Sequence, residues 1–270
     1  MTTGLHFVVC ASIVPDPLQT LEPVMGPNGP ALKNETMLPA VLDPWAAHAL
    51  YECAALAKKI QDSRLTLISL GPKAKLQQVM MTAGQKVPFE FVAIDGSASG
   101  FTESSETAVA LAEALRGLPN LALDRLVLAG GWESASRGAG TTLQIVGELL
   151  GIRDQFQGVD EVSVQDDGSL RILERLEGGR YQVSVCAGPP VVLGWATGTL
   201  PEPPNNPQIG MMNMRAVMPA LQRAKSVSVG AQNVRFVTAE LPKQKRDTRI
   251  VKDASPEDIA RELVAWIRGN

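Results

Sequence analysis

The sequence predicts an α/β fold in which a doubly wound, mostly parallel sheet carries an antiparallel hairpin addition and ends in a C-terminal arm. Strand-like apolar runs alternate with helical segments over residues 1–150, which is typical of a parallel sheet with helices on both faces. Short β segments then follow, separated by the turn sequences DDG at 166–168 and EGG at 177–179. The last part of the chain shows no periodic pattern of apolar residues until it reaches a final amphipathic helix.

The first strand is predicted from the continuous apolar run at residues 5–14, LHFVVCASIV, which ends at a Pro-Asp-Pro sequence. An uninterrupted run of this kind fits a strand that is buried on both faces. Residues 15–40 are rich in Pro and Gly and predict a long excursion outside the sheet. A helix is expected from Asp43 and Pro44, since Asp is a good N-cap and Pro suits the first helical position.

The same alternation continues beyond the first helix. Strands are predicted at 64–70, 89–94 and 125–129. Helices are predicted at 73–84, 104–115 and 141–150. Residues 160–196 then hold the β segments VDEVSVQ, SLRILERL, RYQVSVCA and VVLGWA, and the two turn sequences between them predict hairpins.

The C-terminal third is predicted to be less regular. Residues 198–212 are rich in Pro and Asn and predict an exposed loop, followed by a helix at 213–225 and a strand at 226–230. Residues 239–253 predict an extended arm, and Ser255 caps the final helix, whose first turn is acidic. We therefore divide the chain into a domain at 1–235 and an arm with its helix at 236–270. The arm either folds back on that domain or crosses to a partner.

Composition excludes several functions. The formal net charge is −3 and aromatic residues make up 4% of the chain, so neither phosphate neutralisation nor base stacking favours a nucleic acid as partner. The three cysteines, Cys10, Cys53 and Cys186, form no metal-binding spacing, so no metal site is expected. No stretch reaches the length of a membrane span. The sequence favours a cytoplasmic protein, or a matrix protein whose targeting segment is absent.

The segment at residues 126–151, LVLAGGWESASRGAGTTLQIVGELLG, is a candidate phosphate-binding element. A buried strand leads into a turn rich in Gly and Ser and then into a helix, so backbone N–H groups at the helix start can point at an anion. Gly138 and Gly140 permit close approach, while Thr141 and Thr142 add hydroxyl groups. The alternative is a plain connection between strand and helix. Trp132 either stacks on a ring or covers the sheet edge.

Other strand ends are expected at the same crevice, because ligands of open α/β sheets bind beyond the carboxyl ends of the strands. These ends are residues 10–12, residues 69–71 and the chain from Gly130 onward, with the helix start at 43–46 nearby. Together they predict an adenine nucleotide held mainly by backbone groups. The fold is therefore expected to be Rossmann-like and of the adenine-nucleotide-binding type.

Six segments of this chain, in order, resemble the β subunits of electron transfer flavoproteins. They are VVCASIVPDP, LDPWAAHALYECAALAKK, LTLISLGPKAKLQQVMMTAG, LVLAGGWESASRGAGTTLQIVGELLG, PPVVLGW and ELPKQKRDTRIVKDASPEDIARELVAWI. The resemblance covers essentially the whole chain. Its departures lie mainly in the nucleotide loop, where Trp132, Ala135, Ser136 and Arg137 replace the family's Gln and acidic residues.

The resemblance implies an electron carrier subunit without independent catalysis. Such a subunit holds a structural AMP, or a second FAD in electron-bifurcating members, and pairs with an α subunit that carries FAD. The complex takes electrons from a flavin dehydrogenase, such as an acyl-CoA dehydrogenase, and passes them towards a quinone oxidoreductase. The residues that the resemblance assigns to the nucleotide are Cys10, Asp43, Pro44, Trp45, Ala46, Leu70, Gly130, Ser136, Arg137, Gly138, Ala139, Gly140, Thr141 and Thr142.

The resemblance also implies two protein contacts. The final arm and helix pack on the α subunit, and the window at 207–214 meets the dehydrogenase through Ile209, Met211 or Met212. Methionines suit such adaptable contacts; the alternative is that they form the buried face of the next helix.

Two other functions are compatible with the fold class. An ATP-cleaving enzyme of the adenine-nucleotide hydrolase type would want an SGGxDS sequence after the first strand, where this chain has ASIVPDP. A nucleotide-sensing stress protein would be smaller, without the added hairpin and the arm.

Overall fold

The computed structural model describes residues 4–26, 29–97, 101–136, 138–230, 237–238, 240, 242–243, 245 and 248–269. The chain divides into two compact units, Met1–Ala239 and Glu240–Asn270. The first unit contains the sheet and the candidate site.

Thirteen strands and six α-helices are formed by the described residues. The strands are β1 (His6–Cys10), β2 (Ile13–Pro15), β3 (Pro23–Gly26), β4 (Gly29–Leu32), β5 (Ala40–Leu42), β6 (Arg64–Gly71), β7 (Glu90–Asp95), β8 (Leu126–Gly131), β9 (Asp154–Val164), β10 (Leu170–Leu176), β11 (Arg180–Cys186), β12 (Val191–Trp195) and β13 (Lys225–Ser226). The helices are α1 (Pro44–Lys59), α2 (Lys73–Ala83), α3 (Ser104–Arg116), α4 (Thr142–Leu149), α5 (Pro207–Arg223) and α6 (Pro256–Arg268).

Nine strands form one mixed sheet in the order β11-β10-β9-β12-β8-β1-β6-β7-β13. The strands from β9 to β13 in this order are parallel to one another, while β10 is antiparallel to both of its neighbours. The predicted α/β class, the mostly parallel sheet and the antiparallel hairpin addition are therefore confirmed.

Helices cover both faces of this sheet. Phe7 and Val9 of β1 point to one face, where they pack with α1, α2 and α5, whereas Val8 points to the other, where α3 and α4 pack. The alternation of consecutive strand residues between two buried layers explains why the strands read as continuous apolar runs.

The first predicted strand is interrupted in the structure. Ala11 still donates its backbone N–H to Ile68 O, but the Ser12 carbonyl accepts from Asp43 N instead of continuing the sheet. Residues 13–15 then pair with β5 in a separate antiparallel ribbon. The prediction of one strand over 5–14 was wrong at this point, because an apolar run does not reveal where the chain turns away to a second ribbon.

The helix predicted at 213–225 begins six residues earlier, at Pro207. The Asn206 side chain accepts from Gln208 N and Ile209 N, which makes it the N-cap, and Pro207 takes the first position. The predicted loop therefore ends at Asn206. The following strand is also shorter than predicted, since only Lys225 and Ser226 pair with β7.

The second unit contains α6, which begins after Ser255. The Ser255 hydroxyl accepts a hydrogen bond from Asp258 N, as the sequence predicts. Among the residues that the structure describes, no helix is both long and apolar enough to cross a membrane.

Candidate functional site

A cleft opens at the carboxyl ends of three central strands. Cys10 at the end of β1, Leu70 near the end of β6, and Gly130 and Gly131 at the end of β8 form its floor. The segment after β1, the loop after β8 and the first turns of α3 and α4 form its walls. Its volume is about 140 Å³, less than the roughly 300–1,000 Å³ of typical ligand pockets. A nucleotide would therefore lie only partly inside it.

Two helix N-termini border this cleft. Thr142 and Leu143 from the first turn of α4 line one side, and Ser104 and Thr107 from α3 line another. The first N–H groups of a helix have no intrahelical partner, and the helix dipole makes this end electropositive. In neither α4 nor α3 does the side chain of the N-cap residue accept a hydrogen bond from the first N–H groups of the helix. The α4 end favours an anionic group in the cleft, whereas the α3 end already has the carboxylate of Glu106 in its first turn.

The loop between β8 and α4 is held in place by Asp43. One carboxylate oxygen, Oδ2, accepts hydrogen bonds from Ser134 Oγ at 2.8 Å and from Ala135 N at 3.0 Å. The other, Oδ1, accepts from Trp45 N at 3.2 Å and so caps α1. Asp43 is buried, and burial raises the pKa of its carboxyl group, while the hydrogen bonds from Ser134, Ala135 and Trp45 act in the opposite direction. A single carboxylate thus joins a helix start to the loop.

Glycine is required at two positions of the loop for different structural reasons. A Cβ atom at Gly140 would overlap the carbonyl oxygen of Trp132, so glycine allows the two arms of the loop to close on each other. Gly138 lies in open space, but its φ of +65° falls in the left-handed region that favours glycine. Gly140 was expected to admit a ligand; in the structure its close neighbour is the loop itself.

The charges at the cleft are sparse. Among the described residues that line it there is no Lys or Arg, and Glu133 contributes a carboxylate. Burial raises the pKa of the Cys10 thiol to about 12, so this thiol stays protonated and is a poor nucleophile. Any anion here would be bound mainly by backbone N–H groups and hydroxyls, because no described cation faces it.

The structure brings together half of the predicted nucleotide residues. Those that line the cleft are Cys10, Leu70, Gly130, Ser136, Ala139, Gly140 and Thr142. Those that do not line it are Asp43, Pro44, Trp45, Ala46, Gly138 and Thr141. Arg137 lies outside the described residues.

The start of α1 was predicted to lie near the crevice, and the resemblance assigned residues 43–46 to the nucleotide; in the structure these residues do not line the cleft. Asp43 contacts the back of the loop, as described above, and Trp45 packs against Gly131, where a Cβ would approach Trp45 Cβ at 2.7 Å. The helix start therefore supports the loop and does not itself form the cleft wall.

The contribution of α3 was missed. Ser104, Thr107 and Leu111 of α3, together with Thr102 just before it, line the cleft, yet the sequence placed none of them in the site. The available signal was topological: α3 follows β7 and returns beside α4, with which it packs. A Ser-rich helix start at the carboxyl edge of a parallel sheet could have been included on that ground.

Trp132 is a support and not a wall of the cleft. Its ring lies 3.5–3.6 Å from where a Cβ at Gly158 of β9 would be, and its backbone N–H donates to Trp195 O at 3.0 Å. Of the two roles considered for this residue, covering the sheet edge agrees with these contacts. Its Nε1 is buried without a hydrogen-bond partner among the described residues.

The methionines predicted for partner binding are exposed. Met211 and Met212 lie in the first turns of α5 with 66% and 63% of their surface accessible, and Ile209 is half-buried. Met211 and Met212 therefore do not form the buried face of this helix. Their prediction as part of a loop was wrong, since residues 207–214 are helical.

In comparisons with known proteins, no family model matches this chain and no curated protein matches it.

Proposed function

We propose that this chain is the β subunit of a two-subunit electron carrier of the electron transfer flavoprotein type, and that it binds a structural AMP. The observation that carries the proposal is the meeting of two helix N-termini and a glycine-containing loop at one cleft of a parallel sheet. This arrangement suits a phosphate. The ordered resemblance of six sequence segments adds the flavoprotein assignment to it.

The donors at the cleft would suit the phosphate of a nucleoside monophosphate. The phosphate would be held by the first N–H groups of α4 with the hydroxyls of Thr142 and Ser136. The Glu133 carboxylate would accept hydrogen bonds from ribose hydroxyls, as acidic residues do in dinucleotide-binding folds. The small volume and the absence of a described cation favour AMP over the second FAD of the bifurcating alternative.

The redox chemistry would belong to the FAD of the α subunit, because a flavin and not the surrounding side chains carries electrons. This chain would then hold the nucleotide, form part of the docking surface for the dehydrogenase, and catalyse nothing alone. Electrons would come from a flavin dehydrogenase, such as an acyl-CoA dehydrogenase, and leave towards a quinone oxidoreductase. The complex would act in the cytoplasm.

The test is the nucleotide released when the purified complex is denatured, identified by chromatography and mass spectrometry. We expect one AMP per complex and a flavin-to-complex ratio near one. A ratio near two would replace AMP by the second FAD, and no adenine nucleotide at all would refute the proposed site.

Two neighbouring threonines provide a charge-matched pair of variants. Thr142→Glu places a carboxylate in the cleft and should abolish AMP retention. Thr141→Glu places the same charge on a side chain that does not line the cleft and should keep AMP. Both carboxylates lie at a helix start, where they are tolerated electrostatically. Equal AMP content in the two variants would contradict the assignment.

A further inference from the structure

A second cavity, of about 360 Å³, lies between β5, α1 and α2 in the first unit. Its wall is mostly apolar and includes Leu42, Ala47 and Val79. This volume falls within the range of roughly 300–1,000 Å³ that ligand sites occupy. Of the residues that line the first cleft, none lines this cavity.

Polar groups converge on one side of the apolar wall. Lys86 lines the cavity with only 14% of its side chain exposed, and its Nζ lies 2.6 Å from Glu202 Oε1. Tyr51 also lines it. Burial, together with the negative charge of Glu202, raises the pKa of the Tyr51 hydroxyl to about 12, so this group remains a hydrogen-bond donor at neutral pH.

The partner of Lys86 comes from a loop. Glu202 has 63% of its side chain exposed and lies between two fixed points. Before it, Leu200 N donates to Glu52 Oε1 at 2.8 Å; after it, Asn206 N donates to Gln85 O at 2.8 Å. The loop thus presents a carboxylate to a mostly buried cation, while the carboxylate itself remains accessible to water.

This arrangement shows which chemistry the cavity accepts. A mostly buried ammonium group needs an anion, because an unpaired charge away from water is costly. Because Glu202 is mostly exposed, its carboxylate can move into water while another carboxylate takes its place, so Lys86 keeps an anionic partner throughout the exchange. A carboxylic acid with an apolar body would pair its own carboxylate with Lys86 and pack its apolar body against the wall of the cavity.

We propose that this cavity is a binding site for a small monocarboxylic acid with an apolar body, whose carboxylate replaces Glu202 on Lys86 and accepts from the Tyr51 hydroxyl. Glu202 acts as an internal competitor for the ligand. The site is independent of the nucleotide cleft and does not depend on the function proposed above.

Hexanoate is a suitable probe, with 1-hexanol as its neutral match. Nuclear magnetic resonance titration of the full ¹⁵N-labelled chain should show hexanoate shifting the amide signals of residues 40–51 and 79–86. The alcohol should bind at least tenfold more weakly, because it cannot replace the carboxylate. Equal binding of the two, or no shift in these segments, would overturn the proposal.

Three variants test the charge pair. Lys86→Met should weaken hexanoate binding at least tenfold, whereas Glu202→Gln should strengthen it at least threefold by removing the competitor. Lys73→Met is the matched control, because Lys73 pairs with Asp95 and does not line the cavity. The affinity of this variant for hexanoate should be unchanged. Weaker binding by Glu202→Gln would contradict displacement.

Ala47→Leu keeps the result interpretable if Lys86→Met fails to fold. The larger side chain fills part of the cavity and leaves the Lys86–Glu202 pair in place. Hexanoate should therefore no longer bind, while the circular dichroism spectrum stays unchanged. A folded Ala47→Leu variant that still binds hexanoate with full affinity would place the ligand elsewhere.

Discussion

Asp43 Oδ2 accepts a hydrogen bond from Ser134 Oγ at 2.8 Å, although the two residues are separated by 91 positions in the chain. Through this bond the helix that follows β5 holds the loop that follows β8. The same carboxylate caps its own helix with the other oxygen, so the geometry of the cleft depends on a residue that does not line it.

Replacing Asp43 should therefore affect both stability and the cleft. We expect Asp43→Ala to lower the free energy of unfolding by about 1–3 kcal/mol, since it removes a helix cap and leaves Ala135 N without its acceptor. Asp43→Asn should also destabilise, because one amide oxygen cannot replace two carboxylate oxygens. Urea denaturation measures the change.

Asn206→Ala is the control for this prediction. Asn206 caps α5 by accepting from Gln208 N and Ile209 N, and it does not line the cleft. Asn206→Ala should lower the free energy of unfolding by about 1 kcal/mol and leave AMP retention intact. Asp43→Ala should reduce both the free energy of unfolding and AMP retention. Full AMP retention by Asp43→Ala would show that the loop holds its shape without the carboxylate.

The two loop glycines should respond differently to alanine. Gly140→Ala would drive its Cβ into the Trp132 carbonyl, so the loop must move, and we expect a loss of more than about 2 kcal/mol. Gly138→Ala meets no neighbour and pays only for the left-handed backbone, about 1 kcal/mol. Thermal unfolding followed by circular dichroism compares the two; an equal loss would contradict the close contact.

The pattern of strands and helices could be predicted from the sequence because buried parallel strands and N-caps leave local signals. The Asp43-Pro44 helix start was found in this way. The equivalent Asn206-Pro207 signal was missed because the surrounding Pro and Asn residues favour a loop. The residues that α3 brings to the cleft leave no local signal, since only the packing of α3 beside α4 places them there.

The role of Asp43 shows a second limit of sequence. Its position after β5 and before α1 placed it near the crevice, and this was right. Whether its carboxylate faces a ligand or the loop depends on the path of residues 132–140. That path is fixed by contacts such as the one between Gly140 and Trp132, which join parts of the chain that no local pattern relates.

His6 makes the stability of the first unit sensitive to acid. Arg64 Nη2 can only donate, so its 3.1 Å contact makes His6 Nδ1 an acceptor and places the proton on Nε2, which donates to Thr66 Oγ1 at 2.9 Å. Burial and the charge of Arg64 lower the pKa of His6 from 6.5 to about 4. The unfolded chain therefore binds a proton between these pH values that the folded chain does not.

This proton linkage predicts a loss of stability as the pH falls from 6.5 towards 4. Its full contribution is present above pH 6.5, and we expect a loss of about 2 kcal/mol across the window after allowing for solvent screening. Urea denaturation at several pH values measures it. His6→Gln removes the titrating group and should reduce the slope in this window; an unchanged slope would assign the effect to other residues.

Met211 and Met212 should contribute to docking of a dehydrogenase if the proposed function holds. Replacing both by Ala, together with Ile209, should slow electron transfer between the two proteins several-fold, because exposed apolar side chains at the centre of an interface carry much of its affinity. AMP content and the unfolding temperature should not change. Met37→Ala is the control, since Met37 is also exposed but lies outside α5. Equal transfer rates in all variants would exclude this surface.

The last prediction concerns α6. Its apolar residues Leu263, Trp266 and Ile267 are 52%, 78% and 75% exposed, and large exposed apolar groups on an amphipathic helix mark a surface that binds another chain. We expect that replacing these three by Ser abolishes co-purification with an FAD-carrying subunit, because the apolar face would no longer be available for burial. Replacing Arg261, Glu262 and Arg268 of the same helix by Ser is the matched control and should leave the complex intact. Size-exclusion chromatography with flavin absorbance measures assembly, and a stable complex formed by the apolar-face variant would show that α6 is not required for it.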